Sequence, residues 1–382
     1  MPKLARAMNT IESIEPNAAA QRDSNVLSEQ MFYRAIGLER KRTERSGKSF
    51  LLMLVDARSC TSSQKRSKLL FGILSPLVRC TRETDAVGWY EKDLVVGVLF
   101  TDIDTQGKAS VVAVMLARMS EVLRNHLDVE QFSQITLSFH LFPEDWNQRG
   151  EEPASNPVLY PDLLRRDESA QVPRVIKRAI DVLGGSLALI AFSPIILLIA
   201  IAIKLSSKGP VFFQQERIGQ YGAMFTFLKF RSMHLNNDAT IHKEYVKLLI
   251  SGEVAGNGSD NGEAVYKITN DPRITAVGRF LRRASLDELP QLFNVLRGEM
   301  SLVGPRPPVA YEVEGYDVWH RRRILEAKPG ITGLWQVNGR SRVKFDEMVR
   351  LDLQYARTWS PWLDLKILLR TPGAVISGDG AY

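Results

Sequence analysis

The sequence predicts two folded units: an α/β domain with helices on an antiparallel sheet, then a mainly α-helical unit attached to a membrane. The second unit is also predicted to contain a small β-hairpin, whose strands flank Gly219–Gly222. Three observations support this fold class. Residues 28–142 alternate short apolar runs with amphipathic helical patterns, residues 143–172 are rich in proline, and Val182–Ile203 holds 22 residues without a charge. We therefore predict a disordered N-terminus over 1–27, a domain over 28–142, a linker over 143–172 and a second domain over 173–382.

The first domain is predicted from the order of its apolar patterns. Short runs rich in β-branched and aromatic residues predict strands, and longer amphipathic stretches between them predict helices. The predicted order is a helix at 28–46, strand 50–55, helix 64–82, strands 85–90 and 94–100, helix 107–127 and strand 135–140.

The segment between the domains contains Pro143, Pro153, Pro157 and Pro161 among acidic and polar residues. Proline restricts the backbone to extended conformations, so this composition predicts a fairly stiff linker.

The uncharged stretch is long enough to cross a bilayer as a helix, yet Ser193-Pro194 lies at its centre. A proline inside a helix removes a hydrogen bond and clashes with the preceding turn, so we expect a break at Ser193 and Pro194. The bend would leave polar backbone in the membrane unless protein or the serine hydroxyl satisfies it.

Basic residues flank this stretch on both sides. Positive charge favours the cytoplasmic face of a membrane, so a re-entrant hairpin over 178–205 fits better than a straight span, and a buried soluble helix fits least. The flanking residues are Arg165, Arg166, Arg174, Lys177 and Arg178 before it, and Lys204, Lys208 and Arg217 after it. Lys177 and Arg178 are expected at the membrane interface.

Charge and cysteine content narrow the function classes. Residues 173–382 carry 28 Lys and Arg against 20 Asp and Glu, which suits an anionic partner. Cys60 and Cys80 are the only cysteines, without a CxxC or a histidine pair, which argues against a zinc site and a disulfide framework. The N-terminus lacks the apolar core of a signal peptide, so the first domain is expected in the cytoplasm.

An acidic pair, Asp287 and Glu288, lies in the segment Ser285–Leu292, and Arg306 follows between prolines in Val303–Pro308. Two carboxylates and a rigidly held arginine are what handling a phosphate through a metal ion requires. Ser285 and Glu288 also fit a capping box, in which the glutamate only satisfies a free backbone N–H. Both interpretations place the carboxylates near a helix start, where anions are stabilised.

The second domain resembles the bacterial sugar transferases, the monotopic polyprenyl-phosphate phosphoglycosyl transferases that begin bacterial glycan assembly. The resemblance covers about residues 173–376. It is carried by Lys177–Asp181, the Ser193-Pro194 break, Gly209–Phe213, Leu228–Met233, Asn270–Thr275, Ser285–Leu292, Met300–Pro307 and Pro329–Arg340.

This resemblance implies an enzyme that takes a UDP-sugar and undecaprenyl phosphate as substrates. Asp287 would be the nucleophile on the β-phosphate, releasing UMP, and Glu288 would help bind Mg²⁺. Arg306 would grip a phosphate. Lys229, Arg231, Arg340 and Asp352 match positions at the substrate-binding end. No motif distinguishes which sugar is transferred.

The resemblance also implies a location on the bacterial inner membrane, with the soluble parts on the cytoplasmic face. Arg279, Arg282 and Arg283 fall on one helical face that suits a lipid interface, although a solvated charged face explains them equally well. The lipid bilayer is thus an expected partner. A homodimer is compatible with the sequence, and nucleic acid is not expected because the basic charge accompanies the membrane segment.

The first domain resembles the GGDEF, or diguanylate cyclase, domain in its order of elements. That family needs two glycines at the hairpin turn so that backbone can approach nucleotide phosphates, whereas this chain has Tyr90 and Glu91. A degenerate domain kept for dimerisation or regulation is favoured over a cyclase. The alternative for the whole chain is a non-catalytic, nucleotide-responsive scaffold of a polysaccharide assembly complex.

Overall fold

The structure is a computed structural model that describes residues 26–103, 108–144, 156–163, 171–234, 240–251, 257–258, 264–265, 273–339 and 343–376. The chain divides into two compact units. The first comprises residues 1–144 and 156–164, and the second comprises 145–155 and 165–382.

The first unit is a five-stranded sheet with helices, as the sequence predicts. Its elements are β1 (Val26–Leu27), α1 (Glu29–Ser46), β2 (Ser49–Asp56), α2 (Ser63–Cys80), β3 (Ala86–Glu91), β4 (Val95–Ile103), α3 (Lys108–Arg124), α4 (Val129–Ser133) and β5 (Thr136–Phe142). The strand order is β1-β3-β4-β2-β5. All neighbours are antiparallel except β1 and β3. Strand β2 is paired along both edges, with β4 and β5, and helices pack on the sheet, so almost every residue in it is buried.

Part of the predicted linker belongs to this unit. Leu159 and Tyr160 are buried, and Asp162 pairs with Arg40 of α1 at 2.5 Å. The Tyr90 hydroxyl donates to the carbonyl of Val158 at 3.1 Å. Residues 156–163 therefore pack on the first unit, because the apolar side chains between the prolines are buried against it. The predicted disorder over 1–27 is wrong for Val26–Leu27, which form β1 by pairing with β3. Residues 1–25, and most of the rest of the linker before residue 171, lie outside the described residues.

The turn after β3 is occupied by the protein's own side chains. Glu91 pairs with Arg58, and the same guanidinium pairs with Asp56 at 3.1 Å. The Tyr33 hydroxyl donates to the carbonyl of Tyr90 at 2.6 Å. These contacts replace the open, glycine-lined backbone that a nucleotide would need there.

The second unit is mainly helical, with a β-hairpin. Its elements are α5 (Gln171–Ser206), β6 (Phe212–Ile218), β7 (Met224–Phe230), α6 (Thr240–Ser251), β8 (Asn257–Gly258), β9 (Ala264–Val265), α7 (Ala276–Arg283), α8 (Gln291–Arg297), β10 (Ser301–Val303), α9 (Ala310–Glu314), α10 (Arg322–Glu326), β11 (Gly330–Thr332), α11 (Leu334–Asn338), α12 (Phe345–Thr358) and α13 (Pro361–Ile376). Strands β6 and β7 form the predicted antiparallel hairpin. Strands β10 and β11 are a short parallel pair that the sequence pattern did not reveal.

Helix α5 keeps helical backbone through Pro194, so the chain does not leave the helix at Ser193 and Pro194, and the bend expected there stays a prediction. Proline at 194 cannot donate to the carbonyl of Ile190 one turn earlier. The Ser193 hydroxyl donates to that carbonyl instead, at 2.8 Å. The serine thus satisfies the group that the proline leaves without its usual partner.

The N-terminal part of α5 is anchored to the second unit by its own basic side chains. Lys177 donates to the carbonyl of Val303 at 3.0 Å and pairs with Asp364 at 2.6 Å. Arg178 donates to the carbonyls of Val295 and Leu296 at 2.6 and 2.7 Å, at the end of α8 where helix carbonyls lack partners. These contacts assign Lys177 and Arg178 to anchoring α5 rather than to a membrane surface.

Close backbone contact joins β10 to β11 just before the arginine–proline segment. A Cβ atom on Gly330 would lie 2.0 Å from the amide nitrogen of Gly304. The backbone there is already held, since Gly330 donates to the carbonyl of Pro305 at 2.8 Å. Only glycine therefore fits.

We expect Gly330→Ala to destabilise the protein by about 1–3 kcal/mol, because the added methyl must displace backbone rather than a flexible side chain. Gly373→Ala is the matched control, since nothing lies within 4 Å of the Cβ position there. Thermal unfolding of both variants checks this. An equal change in Tm would contradict the packing argument.

Candidate active site

The acidic pair lies on a single 3-10 turn, Leu286–Glu288, between α7 and α8. Ser285, the residue before this turn, has a φ of 52°, a left-handed conformation that costs a non-glycine residue roughly 1–3 kcal/mol. Its side chain makes no capping hydrogen bond. The capping-box interpretation of Ser285 and Glu288 is therefore wrong. Strained backbone directly before a carboxylate pair is a feature of functional sites.

Lys229 of β7 contacts the acidic pair. Its ammonium lies 3.0 Å from Oε1 of Glu288. Asn294 of α8, which is fully buried, holds β7 in place: its amide oxygen accepts from the backbone of Leu228, and its amide nitrogen donates to the carbonyl of Thr226. The position of β7 relative to α8 is thereby fixed directly before Lys229.

The two carboxylates have opposite pKa shifts. Burial raises the pKa of Asp287, which is 7% exposed, and the nearby Glu288 carboxylate adds to the shift, while Lys229 opposes it. Burial also raises the pKa of Glu288, but Lys229 and Arg306 outweigh it and the net pKa is lowered. Desolvation likewise lowers the pKa of Lys229. At neutral pH Glu288 is firmly anionic, and Asp287 is the more basic oxygen donor.

The segment Pro305–Pro308 is held through all four of its carbonyls. The carbonyl of Pro305 accepts from Gly330, and that of Arg306 accepts from Arg323 at 3.1 Å. The carbonyl of Pro307 accepts from Arg217 at 2.5 Å, and that of Pro308 from the backbone of Ile218 at 2.9 Å. Four donors from separate parts of the second unit therefore fix a backbone that proline already restricts. We call Pro305–Pro308 the clamp.

The clamp leaves the Arg306 side chain exposed. Its positive charge is close enough to lower the pKa of Glu288 and of Lys229. Among the described residues its guanidinium makes no hydrogen bond or ion pair. A rigid backbone that presents a free guanidinium beside two carboxylates is suited to binding a phosphate.

The structure corrects two of the predicted substrate contacts. Arg231 is buried and donates to the carbonyls of Ser207 and Lys208 at 2.9 and 3.0 Å, so it caps the chain just past α5. Asp352 is 1% exposed and lies 2.7 Å from Arg323, behind the clamp. Both are occupied inside the protein. Arg340 falls outside the described residues, and its role stays a prediction.

The three arginines predicted on one face of α7 divide into two groups. Arg279 and Arg283 are exposed, beside a Phe280 that is 65% exposed. Arg282 turns toward the site: its Nε donates to Ser232 at 2.9 Å, and its charge lowers the pKa of Asp287.

Arg217 is the basic residue whose place the sequence did not reveal. It was counted only among the positive flanks of the membrane segment. It is 5% exposed, lies 4.5 Å over the ring of Phe227 and donates to the clamp. Burial and Arg306 lower its pKa to about 10. The hairpin pattern could have indicated this place, because it pairs Arg217 with Phe225 on the neighbouring strand.

The two carboxylates are too few to hold a metal ion by themselves, so a substrate would have to provide further oxygen ligands. No group of three or more His, Cys, Asp or Glu side chains in the described ranges could hold a metal ion. Mg²⁺ is commonly held by one or two carboxylates together with substrate phosphates, and Glu288 and Asp287 provide that number. Oε1 of Glu288 is already engaged by Lys229, which leaves Oε2 for such a contact.

Residues 172–378, more than half of the chain, match the family described as Bacterial sugar transferase. The chain belongs to the bacterial sugar transferase family. Family relatives include the "Undecaprenyl-phosphate galactose phosphotransferase" of Salmonella typhimurium (strain LT2), 44% identical over 55% of this chain and 42% of that protein. The "Exopolysaccharide production protein ExoY" of Rhizobium meliloti is 41% identical over 60% of this chain and 97% of that protein.

A third family relative is the "UDP-glucose:undecaprenyl-phosphate glucose-1-phosphate transferase" of Caulobacter vibrioides, 42% identical over 58% of this chain and 78% of that protein. Several relatives are much longer. The match spans only about two-fifths of the length of the Salmonella protein and of an "Uncharacterized sugar transferase" from Haemophilus influenzae, 45% identical over 55% of this chain.

Among solved structures the chain is similar to a DGC protein from Thermotoga maritima, at 21% identity over 32% of this chain and 87% of that one, with a TM-score of 0.26. A GGDEF domain of DgcB from Caulobacter crescentus is 16% identical over 31% of this chain and 70% of that one, with a TM-score of 0.25. At these TM-scores the likeness supports no conclusion about the activity of this sugar transferase.

Proposed function

We propose that this family member transfers a sugar-1-phosphate from a UDP-sugar to undecaprenyl phosphate and releases UMP, the initiating step of a surface glycan. The observation that carries this proposal is the buried Asp287 carboxylate beside Lys229, Glu288 and the exposed guanidinium of Arg306. Undecaprenyl-phosphate and UDP-sugar chemistry in the names of family relatives supports the choice of substrates.

The chemistry follows from the charges. A carboxylate oxygen of Asp287 forms a bond to the β-phosphorus of the UDP-sugar, and the bond from that phosphorus to the bridging oxygen breaks. UMP departs with the electron pair and leaves the phosphosugar on Asp287. A phosphate oxygen of the lipid then attacks the same phosphorus, breaks the bond to Asp287 and restores the carboxylate.

Each neighbouring residue has a distinct part in this chemistry. Arg306 binds the diphosphate and orients it for attack. Lys229 keeps Asp287 and Glu288 ionised and adds positive charge where the leaving phosphate develops negative charge. Glu288 would hold Mg²⁺, which when bound would offset the diphosphate charge and stabilise the leaving group.

Replacing Lys229 with methionine should move the acid limb of the pH profile of kcat/KM to higher pH. Asp287 must be ionised to attack, its pKa is raised by burial, and Lys229 counteracts that rise. Removing the ammonium therefore raises the pKa of Asp287 further. Lys247→Met, on an exposed lysine of α6, is the control. An unchanged or lowered limb in Lys229→Met would contradict the assignment.

We also propose that α5 enters the membrane from one side without crossing it. One helix in the described part of the chain, Val172–Ser206, is long and apolar enough to span a bilayer. It exposes large apolar side chains, which surround the helix near its middle: Leu183, Leu187, Ile190, Phe192, Ile195, Leu197, Leu198, Ile201 and Leu205.

The second unit contacts α5 on either side of its middle, whereas residues 190–195 between these contacts are exposed. Near one end Asp181 accepts from Ser301 at 2.8 Å, and near the other Ile199 and Ile203 pack with buried side chains of β7 and α7. A straight span would draw that polar unit into the hydrocarbon. A re-entrant, monotopic placement keeps it on one side, at the level of the lipid phosphates.

Cysteines at both ends of α5 test this placement. Val172 and Leu205 are 70% and 84% exposed, so Val172→Cys and Leu205→Cys, each with Cys60→Ser and Cys80→Ser, give accessible labels. A membrane-impermeant maleimide should label neither position in intact spheroplasts and both after permeabilisation. Labelling of one end alone in intact spheroplasts would indicate a straight span.

The proposed activity is tested by measuring UMP release from a panel of UDP-sugars by the purified full chain with undecaprenyl phosphate in detergent. UMP release that depends on the lipid or proceeds to a single turnover without it supports the transferase. Its absence with every sugar would overturn the proposal and favour a non-catalytic scaffold.

A further inference from the structure

The clamp is held from behind by a buried ion pair. Arg323 of α10 and Asp352 of α12 have side chains that are 3% and 1% exposed, and Nη2 of Arg323 lies 2.7 Å from Oδ2 of Asp352. The same Nη2 donates to the carbonyl of Arg306 at 3.1 Å. The other terminal nitrogen, Nη1, donates to the hydroxyl of Tyr316 at 3.3 Å.

A guanidinium is a flat fork with fixed donor directions, so the two hydrogen bonds to Arg306 and Tyr316 orient it, and Asp352 adds the opposite charge beside it. The acid and the phenol hold Arg323, and Arg323 then fixes the carbonyl of Arg306. No other contact in the described part of the chain reaches that carbonyl. Arg323, 17 positions away, therefore holds the one clamp carbonyl that belongs to the phosphate-binding arginine itself.

A contribution to the stability of the fold does not explain the Arg323–Asp352 ion pair. Burial raises the pKa of Asp352 to about 6 even though Arg323 lowers it, so the ionised acid is strained in this position. Apolar side chains of similar volume are often as stable as a buried ion pair. A buried ion pair in direct contact with the clamp therefore points to a role in geometry.

We propose that Arg323 is a positioning residue for Arg306 and that Asp352 acts on the site only through Arg323. The inference rests on the proposed transferase function and reassigns Asp352 from substrate contact to support of the clamp. Loosening the Arg306 backbone lets the guanidinium drift from the phosphate, and misplacement by about 1 Å costs on the order of 10²-fold in rate.

A double-mutant cycle on the full chain separates positioning from general structure. Arg323→Lys keeps the charge but loses the fork, and kcat for UMP release should fall about 10- to 100-fold with a smaller change in KM. In an Arg306→Ala background the same Arg323→Lys change should cost less than about 2-fold, because there is no side chain left to position. Independent, multiplicative losses would overturn the proposal.

Arg322→Lys is the matched control: Arg322 precedes Arg323 and pairs with Glu326 on the same helix, away from the clamp. It should retain wild-type kcat. If Arg323→Lys fails to fold, Tyr316→Phe removes only the hydroxyl and enters the same cycle with a smaller expected loss of about 2- to 5-fold. A Tyr316→Phe loss that persists undiminished in Arg306→Ala would overturn the proposal.

The wild-type reaction separates the two proposals. An active wild-type chain with a multiplicative cycle removes the positioning role and leaves the transferase intact. An inactive wild-type chain, with every UDP-sugar tried, removes both.

Discussion

Replacing Asp287 with asparagine is expected to abolish UMP release, with a loss of at least about 10³-fold in kcat. The amide keeps the shape of the side chain but cannot form the bond to phosphorus. Asp287→Glu should also lose most activity, because one added methylene moves the carboxylate away from its fixed place beside Glu288. Single-turnover UMP release measures both.

Stability distinguishes lost chemistry from lost folding in this variant. Burial penalises the ionised form of Asp287, so Asp287→Asn should leave Tm unchanged or raise it. Asp317→Asn, on an exposed aspartate of the same unit, is the control and should keep full activity. Normal turnover by Asp287→Asn would contradict the assignment of Asp287 as the nucleophile.

Replacing Arg306 with alanine is expected to lower kcat/KM by about 10²- to 10³-fold. The clamp holds this backbone through four carbonyls, so the loss is confined to the guanidinium and the fold should not change. Arg306→Lys should recover part of the activity, because a lysine supplies the charge without the planar two-point contact to a phosphate.

The Arg306 variants need steady-state kinetics on a UDP-sugar and a folding check. Arg350→Ala, on an exposed arginine of α12, is the matched control and should be close to wild type. If Arg306→Ala retained kcat/KM, the clamp would not bind the diphosphate, and Lys229 would be left as the residue that binds it.

The sequence predicted most of the local structure. The helices and strands of the first unit follow their apolar periodicity to within a few residues at most boundaries, and the β6–β7 hairpin follows its glycine-containing turn. Asp287 and Glu288 are adjacent in the sequence, and phosphate chemistry linked them to Arg306, but only the family resemblance added Lys229, which lies on a separate element. Periodicity contains no information about such distances.

The predictions that changed all concern long or polar side chains. Lys177, Arg178 and Arg231 were expected at a membrane or a phosphate, but each reaches backbone carbonyls at an element end. A free carbonyl at a helix terminus attracts any nearby cation, and no local pattern reveals which one is near. Ser285 was expected to cap a helix, and its left-handed backbone directs its side chain elsewhere.

The most direct test of the account is the mass of the protein after brief exposure to a UDP-sugar without the lipid acceptor. The covalent mechanism predicts one phosphosugar per chain, on the peptide that contains Asp287, removed when undecaprenyl phosphate is added and absent in Asp287→Asn. UMP release from an unmodified chain, or a phosphosugar on another residue, would contradict it.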